Sequence, residues 1–354
     1  MLFVLILAAA IWFGGGWLGV PRRLRLGLLT LLYAVLLLLH LLFPVGNPLR
    51  MATGGSAAPW LLLGGALALV WTYRSMLGGL HRRAGQREAE AAALRGLGEK
   101  PGFSDAELNR YARHIVLREI GGAGQKALRD ARVLVVGAGG LGAPVLQYLA
   151  AAGVGTIGVI DDDDVENTNL QRQVIHKDSA IGMPKVFSAQ AEVTAQNPFV
   201  TLRPYHRRLS EEIAAELLQD YDLVLDGTDN FETRYLVNRS CVAAGLPLVS
   251  GALSQWEGQL STFDPARNAP CYQCIFPQAP AAELAPSCAE AGVIGPLPGV
   301  VGTMMALEAI KLITGAGSNL RGEMVIFDAL YGESRKIALS RRPDCPVCAD
   351  TRRA

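Results

Sequence analysis

The apolar positions divide this chain into two regions that follow different rules. In the first, residues 1–21, 26–49 and 51–73 contain no charged side chain. Each run is long enough for a helix to cross a hydrocarbon core of roughly 30 Å. From Arg132 onward the apolar runs are short and punctuated. Strand-like stretches at 132–136, 156–160, 200–204, 222–226 and 247–250 alternate with helix-like stretches around 141–152, 184–196, 210–219 and 230–244. Strands separated by helices predict a parallel sheet covered on both faces. After Gly251 the rhythm changes: QWEGQLSTFD, EMVIFDAL and ESRKIALS read as strands, with one helix at roughly 299–314 among them. The fold expected is α/β, a mostly parallel sheet with an antiparallel C-terminal extension, preceded by about three transmembrane helices.

Charge sharpens the division. Half of all residues are apolar, and the excess lies in the first region. The net charge of +1 conceals ten Lys/Arg against three Asp/Glu in residues 1–100, and 23 against 29 in the remainder. Arg22, Arg23 and Arg25 follow the first apolar run, Arg50 alone separates the second from the third, and Arg74, Arg82, Arg83 and Arg87 follow the third. Basic residues mark the cytoplasmic side, so three spans with the amino terminus outside place both basic clusters inside. No basic residue precedes the first run and further runs follow it, which argues against a cleaved signal peptide. Trp12, Trp17, Trp60 and Trp71 fall towards span ends, where indole rings prefer the interface, and His40 is read as a residue near the outer interface. Residues 1–81 are expected to be a membrane anchor and 82–103 a juxtamembrane helix and linker. The soluble domain, 104–354, opens on the capping box Ser104-Asp-Ala-Glu107. The implied location is multi-pass in the inner (cytoplasmic) membrane, with the soluble domain in the cytoplasm. Nothing in the composition points to nucleic-acid binding.

The candidate chemistry sits at ends of elements. RVLVVGAGGLG, residues 132–142, places Gly137, Gly139 and Gly142 in the spacing G-x-G-x-x-G between a strand and a helix, with Gly140 inside the turn. Glycines allow close backbone approach to a phosphate, and a helix N-terminus offers unpaired N–H groups. Alone, the motif favours a dinucleotide-dependent oxidoreductase. Asp161 closes the second strand, where a carboxylate would meet a ribose hydroxyl; some members of the run Asp161–Asp164 are simply an acidic turn. NTNLQRQ follows, with Asn169, Gln171 and Arg172, and then Lys185 at a helix start. The two cations would neutralise a triphosphate, or stand as solvated surface charge. The fourth strand ends in Asp226-Gly-Thr-Asp229-Asn230, where Asp229 is placed to hold Mg²⁺, a hard cation that prefers carboxylate and phosphate oxygens. Together these groups point to a triphosphate with a metal.

Cysteine spacing is the strongest signal. Cys271-Tyr-Gln-Cys274 and Cys345-Pro-Val-Cys348 form two C-x-x-C pairs, the sulfur shell of a structural zinc, with a redox dithiol or chance pairing as the other readings. Cys241 reads as inert packing. Cys288, in the Pro/Ala-rich stretch ELAPSCAEAG, reads as a loop thiol that would be nucleophilic only if its pKa were low.

RYARHIVLREIGGAGQKAL, GAGGLG, NTNLQRQ, the turn ending in Lys185, GTDN, PLVSGA, CYQC, CAEAGVIGPLPGVVG, EAIKLITG and CPVC resemble, in this order, the MoeB/ThiF/HesA adenylyltransferases, relatives of the ubiquitin-activating enzymes. The resemblance covers about residues 104–349 and leaves out the membrane segment. It implies a Rossmann-like fold and ATP-dependent adenylation of the C-terminal glycine of a small ubiquitin-like sulfur carrier ending in Gly-Gly, ahead of thiocarboxylate formation. It also implies a homodimer. Gly139 and the glycine loop would lie against the nucleotide and Asp161 against ribose. Asn169, Arg172 and Lys185 would contact phosphates, with Gln171 and Asn230 beside them, and Asp229 would serve Mg²⁺ and the reacting carboxylate. Arg113, in RYARH, would reach into the partner subunit's phosphate site. Cys271, Cys274, Cys345 and Cys348 match the zinc ligands, and Cys288 matches a cysteine on the loop that crosses the carrier's tail. The motif set leans towards the molybdopterin-synthase small subunit as carrier. No rhodanese-like domain follows Cys348, so a separate sulfur donor is expected. The competing readings are a thiamine-pathway carrier, another carboxylate substrate, a non-catalytic nucleotide-binding scaffold, and NAD-dependent redox.

Overall fold

The computed structural model describes residues 2–44, 46–66, 69, 72–73, 102–280 and 291–353, in two units, Met1–Gly102 and Phe103–Ala354.

In the first unit α1 (Leu2–Ala9) continues through a π-turn at Ala10–Gly14 into Gly15–Trp17. After Pro21, α2 spans Arg22–Leu42, and the short α3 spans Pro48–Ala52. Of the three spanning helices expected, α2, at 21 residues, is the one of full spanning length among the described residues. The first run is interrupted by Gly19 and Pro21 and the third by the turn at Thr53–Ser56, beyond which the chain is helical over 58–66. Residues 82–101 of the expected juxtamembrane segment lie outside the described residues. Val4, Leu36 and Trp60 pack together. The Trp60 indole N–H donates to the Thr53 carbonyl at 3.1 Å, and the Tyr33 hydroxyl donates to the Trp60 carbonyl at 2.6 Å. Trp60 is therefore a packing residue here. His40 is buried too, with Nδ1 2.9 Å from the carbonyl of Leu36 one turn back.

The second unit opens with α4 (Asp105–Ile115) and α5 (Gly121–Asp130). The expected capping box forms: Ser104 Oγ accepts from Glu107 N–H at 3.3 Å, and the Glu107 carboxylate accepts from Ser104 N–H at 2.8 Å. Then come β1 (Arg132–Val136), α6 (Gly142–Ala152), β2 (Thr156–Asp161), α7 (Lys185–Gln196), β3 (Thr201–His206), α8 (Glu211–Leu217), β4 (Leu223–Asp226), α9 (Phe231–Ala244) and β5 (Leu248–Leu253). The chain continues with β6 (Glu257–Phe263), α10 (Tyr272–Ile275), α11 (Pro296–Thr314), β7 (Glu323–Asp328) and β8 (Glu333–Ala338). The eight strands form one sheet in the order β3-β2-β1-β4-β5-β6-β7-β8. The first five are mutually parallel, and β6, β7 and β8 are antiparallel additions.

Alternation along the strands explains why both faces are covered. Val133 and Val135 of β1 pack with Val145, Leu146 and Leu149 of α6 and with Val301 and Met305 of α11. Leu134 and Val136 face the other way, onto Leu236 and Val237 of α9 and Ala214 of α8. The helix α11 is long and apolar enough to resemble a span by composition, but Leu297, Val301, Met305, Ala306 and Ala309 on it serve this core. The strand order reverses between β1 and β4. That switch point is where an open α/β sheet leaves a crevice beyond its strand ends.

Candidate nucleotide site

A cleft of about 1000 Å³ opens at the carboxyl ends of β1 to β4. Its floor is the glycine loop. Gly137 has φ +95°, and a Cβ there would sit 3.3 Å from the Gly227 carbonyl group. A Cβ on Gly142 would strike the Gly137 carbonyl, so this pair of glycines permits the turn itself. Gly137, Gly139 and Gly140 line the cleft; Gly142 is buried behind it in the first turn of α6.

The strand ends next to the loop tie it down. Asp161, at the end of β2, accepts from the Ala138 N–H at 2.7 Å through Oδ2 and from the Asp163 N–H at 2.9 Å through Oδ1. A carboxylate has about four lone-pair sites, so Asp161 keeps acceptor capacity on the cleft side. Burial pushes its carboxyl above the ordinary carboxylate value, while Lys185 and the two N–H groups pull the other way. Lys185, the first residue of α7, is buried, and Nζ lies 2.6 Å from the carboxylate of Asp163. Arg172 donates to the Thr168 carbonyl and to Asn169 Oδ1, each at 3.2 Å. Asn169 thus holds Arg172 and is not itself among the residues lining the cleft. Gln171 is directed to the start of α11, 2.8 Å from where a Cβ on Gly295 would stand. The glutamine that lines the cleft is Gln173.

The β4 end supplies the opposite wall. Asp226 is buried, with Oδ1 accepting from the Thr228 N–H at 3.0 Å and the Thr228 hydroxyl at 2.6 Å, and Oδ2 from the Ser250 hydroxyl at 3.1 Å. The buried guanidinium of Arg234 lies 3.7 Å from Asp226 and donates to the carbonyls of Gly251, at 2.9 Å, and Thr228. This lock leaves Asp229 exposed on the cleft. Asn230 also lines it, although its Oδ1 caps α9 by accepting from the Thr233 N–H at 2.9 Å. Arg207 and Arg208, just after β3, add positive charge to the same cleft. Neither they nor Arg234 carried a motif in the sequence; their position beyond strand ends was the available signal. Arg113 is exposed in the last turn of α4 and does not line the cleft of its own chain. Cys288 lies outside the described residues.

Four buried sulfurs, from Cys271, Cys274, Cys345 and Cys348, meet in one cluster. Cys271 Sγ lies 3.8 Å from Cys274 Sγ and 3.6 Å from Cys345 Sγ, and Cys274 Sγ lies 3.4 Å from Cys348 Sγ. Tetrahedral Zn–S bonds of about 2.3 Å put sulfurs about 3.8 Å apart, so the donor set and its dimensions fit a zinc ion. Burial pushes the Cys348 thiol up to about 11 and the Cys271 thiol higher, so zinc binding here would have to displace thiol protons. The cluster also bears on the cleft. It fixes α10, and the residues that follow, Phe276 to Pro280, form part of the cleft wall. Tyr235 of α9 steadies that wall by donating to the Phe276 carbonyl at 2.9 Å.

A glycine loop at the switch point, a carboxylate at the end of β2 and cations beside it define a Rossmann-type nucleotide-binding α/β protein. Residues 111–347 match the ThiF family. The chain belongs to that family, as an adenylyltransferase of the MoeB/ThiF type. It is 50% identical over 252 residues to the sulfur carrier protein adenylyltransferase of Thermus thermophilus, covering 70% of this chain and 93% of that protein. It is 48% identical over 244 residues to the SAMP-activating enzyme E1 of Haloferax volcanii, covering 69% and 90%. A bovine adenylyltransferase and sulfurtransferase, MOCS3, is 46% identical over 267 residues, covering 75% of this chain and 58% of that one. Among solved structures, E. coli MccB with MccA-N7isoASN superposes with a TM-score of 0.60 at 22% identity, covering 70% of this chain and 76% of that one. At that identity the likeness is one of fold.

Proposed function

We propose that this protein uses ATP and Mg²⁺ to adenylate the C-terminal glycine of a small ubiquitin-like sulfur carrier of the molybdopterin-synthase small-subunit type. The observation that carries the reading is the convergence of Arg172, Lys185 and Asp229 on one cleft around the glycine loop. The carrier class comes from relatives that bear it in their names, the Thermus sulfur carrier protein adenylyltransferase above all.

In the proposed reaction an oxygen of the carrier's C-terminal carboxylate bonds to the α-phosphorus of ATP. The bond from that phosphorus to the bridging oxygen breaks, and pyrophosphate leaves with the electron pair. The nucleophile is already ionised, so no general base is needed; the difficulty is bringing two anions together. Lys185 and Arg172 offset that repulsion and stabilise charge developing on the leaving phosphates. The N–H groups of the glycine loop receive phosphate oxygens, and Asp161 accepts from the ribose. Asp229 would hold Mg²⁺, which withdraws charge from the phosphate oxygens. A homodimer would bring Arg113 to the partner's phosphates, and Cys288 remains the candidate thiol for the carrier's tail. A separate donor would supply the sulfur.

The first unit is proposed to anchor the enzyme in the inner membrane with the second unit in the cytoplasm. The apolar α2 and the arginines flanking it support this reading. Retention in the membrane fraction after alkaline carbonate washing tests it; release would refute it. The chemistry is tested by mass spectrometry of a Gly-Gly-ending carrier incubated with enzyme and ATP. An adenylyl adduct at the carrier's C-terminus is expected, and a carrier lacking Gly-Gly should gain none.

A further inference from the structure

His176 has no part in the chemistry above, yet it is buried directly beneath the glycine loop. Its Nε2 lies 2.9 Å from the Ala138 carbonyl oxygen, and its Nδ1 lies 2.9 Å from Ser188 Oγ on α7. A carbonyl oxygen only accepts, so Nε2 carries the proton, and in the neutral ring Nδ1 accepts from the Ser188 hydroxyl. Burial holds the imidazole below its ordinary pKa, which favours that neutral ring.

The consequence for the loop follows from peptide geometry. In a trans peptide the C=O of one residue and the N–H of the next point in opposite directions. With the Ala138 carbonyl drawn down onto His176, the Gly139 N–H must face away from it, into the cleft that Gly139 lines. Among the described residues the N–H groups of Gly139 and Gly140 donate to nothing. The other side of Ala138 is fixed as well, by its N–H on Asp161 at 2.7 Å. A peptide plane next to two glycines would otherwise rotate easily, because glycine accepts both signs of φ.

We propose that His176 is a positioning residue that aims the Gly139 N–H at a phosphate oxygen of the bound nucleotide. The proposal rests on the nucleotide reading of the cleft.

Two substitutions separate positioning from mere packing. In His176→Gln the amide nitrogen can take the place of Nε2 and still donate to Ala138. In His176→Asn the amide reaches only the Nδ1 position, so the Ser188 contact survives and the Ala138 contact is lost. With the full chain in detergent micelles, labelled-ATP equilibrium dialysis should show affinity about tenfold weaker for the Asn variant, the scale of one lost hydrogen bond. The Gln variant should stay within about twofold. Without nucleotide, backbone amide exchange over 137–141 should accelerate in the Asn variant and not in the Gln variant. Equal losses in the two variants, or an Asn variant like wild type, would overturn the proposal. Should the Asn variant fail to fold, a tenfold loss in the Gln variant overturns it alone. Absence of ATP binding by the wild type would refute the nucleotide reading, while the exchange rates without nucleotide still decide whether His176 holds the loop.

Discussion

Lys185 Nζ lies 2.6 Å from the Asp163 carboxylate, with the lysine side chain 5% exposed and the aspartate 66% exposed. The buried stem fixes where the ammonium can be, and the exposed carboxylate is the partner open to exchange with solvent or ligand. On the proposed reading, an incoming phosphate would take the place of Asp163 on Lys185. Lys185→Ala should lower pyrophosphate exchange by about a hundredfold or more, as for loss of one charge-stabilising group. Asp163→Asn should change it by less than about tenfold, since the exposed carboxylate is screened by solvent. The reverse ranking would remove Lys185 from the phosphate site. Mixed dimers of Lys185→Ala and Arg113→Ala subunits should regain activity if Arg113 acts across the interface; failure to complement would refute that role.

Asp161 gives a pH dependence. Burial raises its pKa above the ordinary 3.8. Its neutral form is therefore favoured by the fold, and the stability this form contributes is lost as pH rises through the raised value. Ligand binding would run in the opposite sense, because the proposed ribose contact needs an acceptor. ATP affinity should fall on acidification at a pH above the ordinary carboxylate value, and that fall should vanish in Asp161→Asn. Titration of ATP affinity against pH checks this; an identical acid limb in the variant would assign it to another group.

Arg234 and Asp226 form the buried lock behind Asp229. Arg234→Met leaves a buried carboxylate without its cation, which costs about 3–5 kcal/mol. Denaturant unfolding should show that loss, and adding Asp226→Asn should recover part of it. Additive losses in the double variant would mean the two side chains do not act as a pair.

The cysteine cluster should hold one zinc per chain, measured by metal analysis of the purified protein. Cys345→Ser should lower both zinc content and melting temperature, and weaken ATP binding through the wall from Phe276 to Pro280. Full zinc content in that variant, or a disulfide in the wild type, would contradict the assignment.

Much of this architecture was legible because it rests on local rules. The strands at 132–136 and 156–160 follow from β-branched runs, the turn from Gly137 and Gly142, and the cysteine cluster from its spacing. What escaped depends on contacts distant in sequence or on side-chain direction. Spacing cannot tell that Gln171 turns to Gly295 while Gln173 turns to the cleft, since both lie in one short turn. Nor can it reveal that Asn230 is a helix cap, that Asn169 serves Arg172, or that Arg234 reaches back to two carbonyls. The length and composition of the N-terminal runs do not register the turns at Gly19–Pro21 and Thr53–Ser56.

The proposed function has the cations and Asp229 around the glycine loop activate a carrier's carboxylate at the expense of ATP. Its most direct measurement is the exchange of labelled pyrophosphate into ATP by the full-length protein with Mg²⁺, in the presence of candidate carriers ending in Gly-Gly. The expected result is exchange that requires the carrier, is strongest with the molybdopterin-synthase small-subunit type, and is lost in Asp229→Ala. No exchange with any carrier, or full exchange in Asp229→Ala, would contradict it.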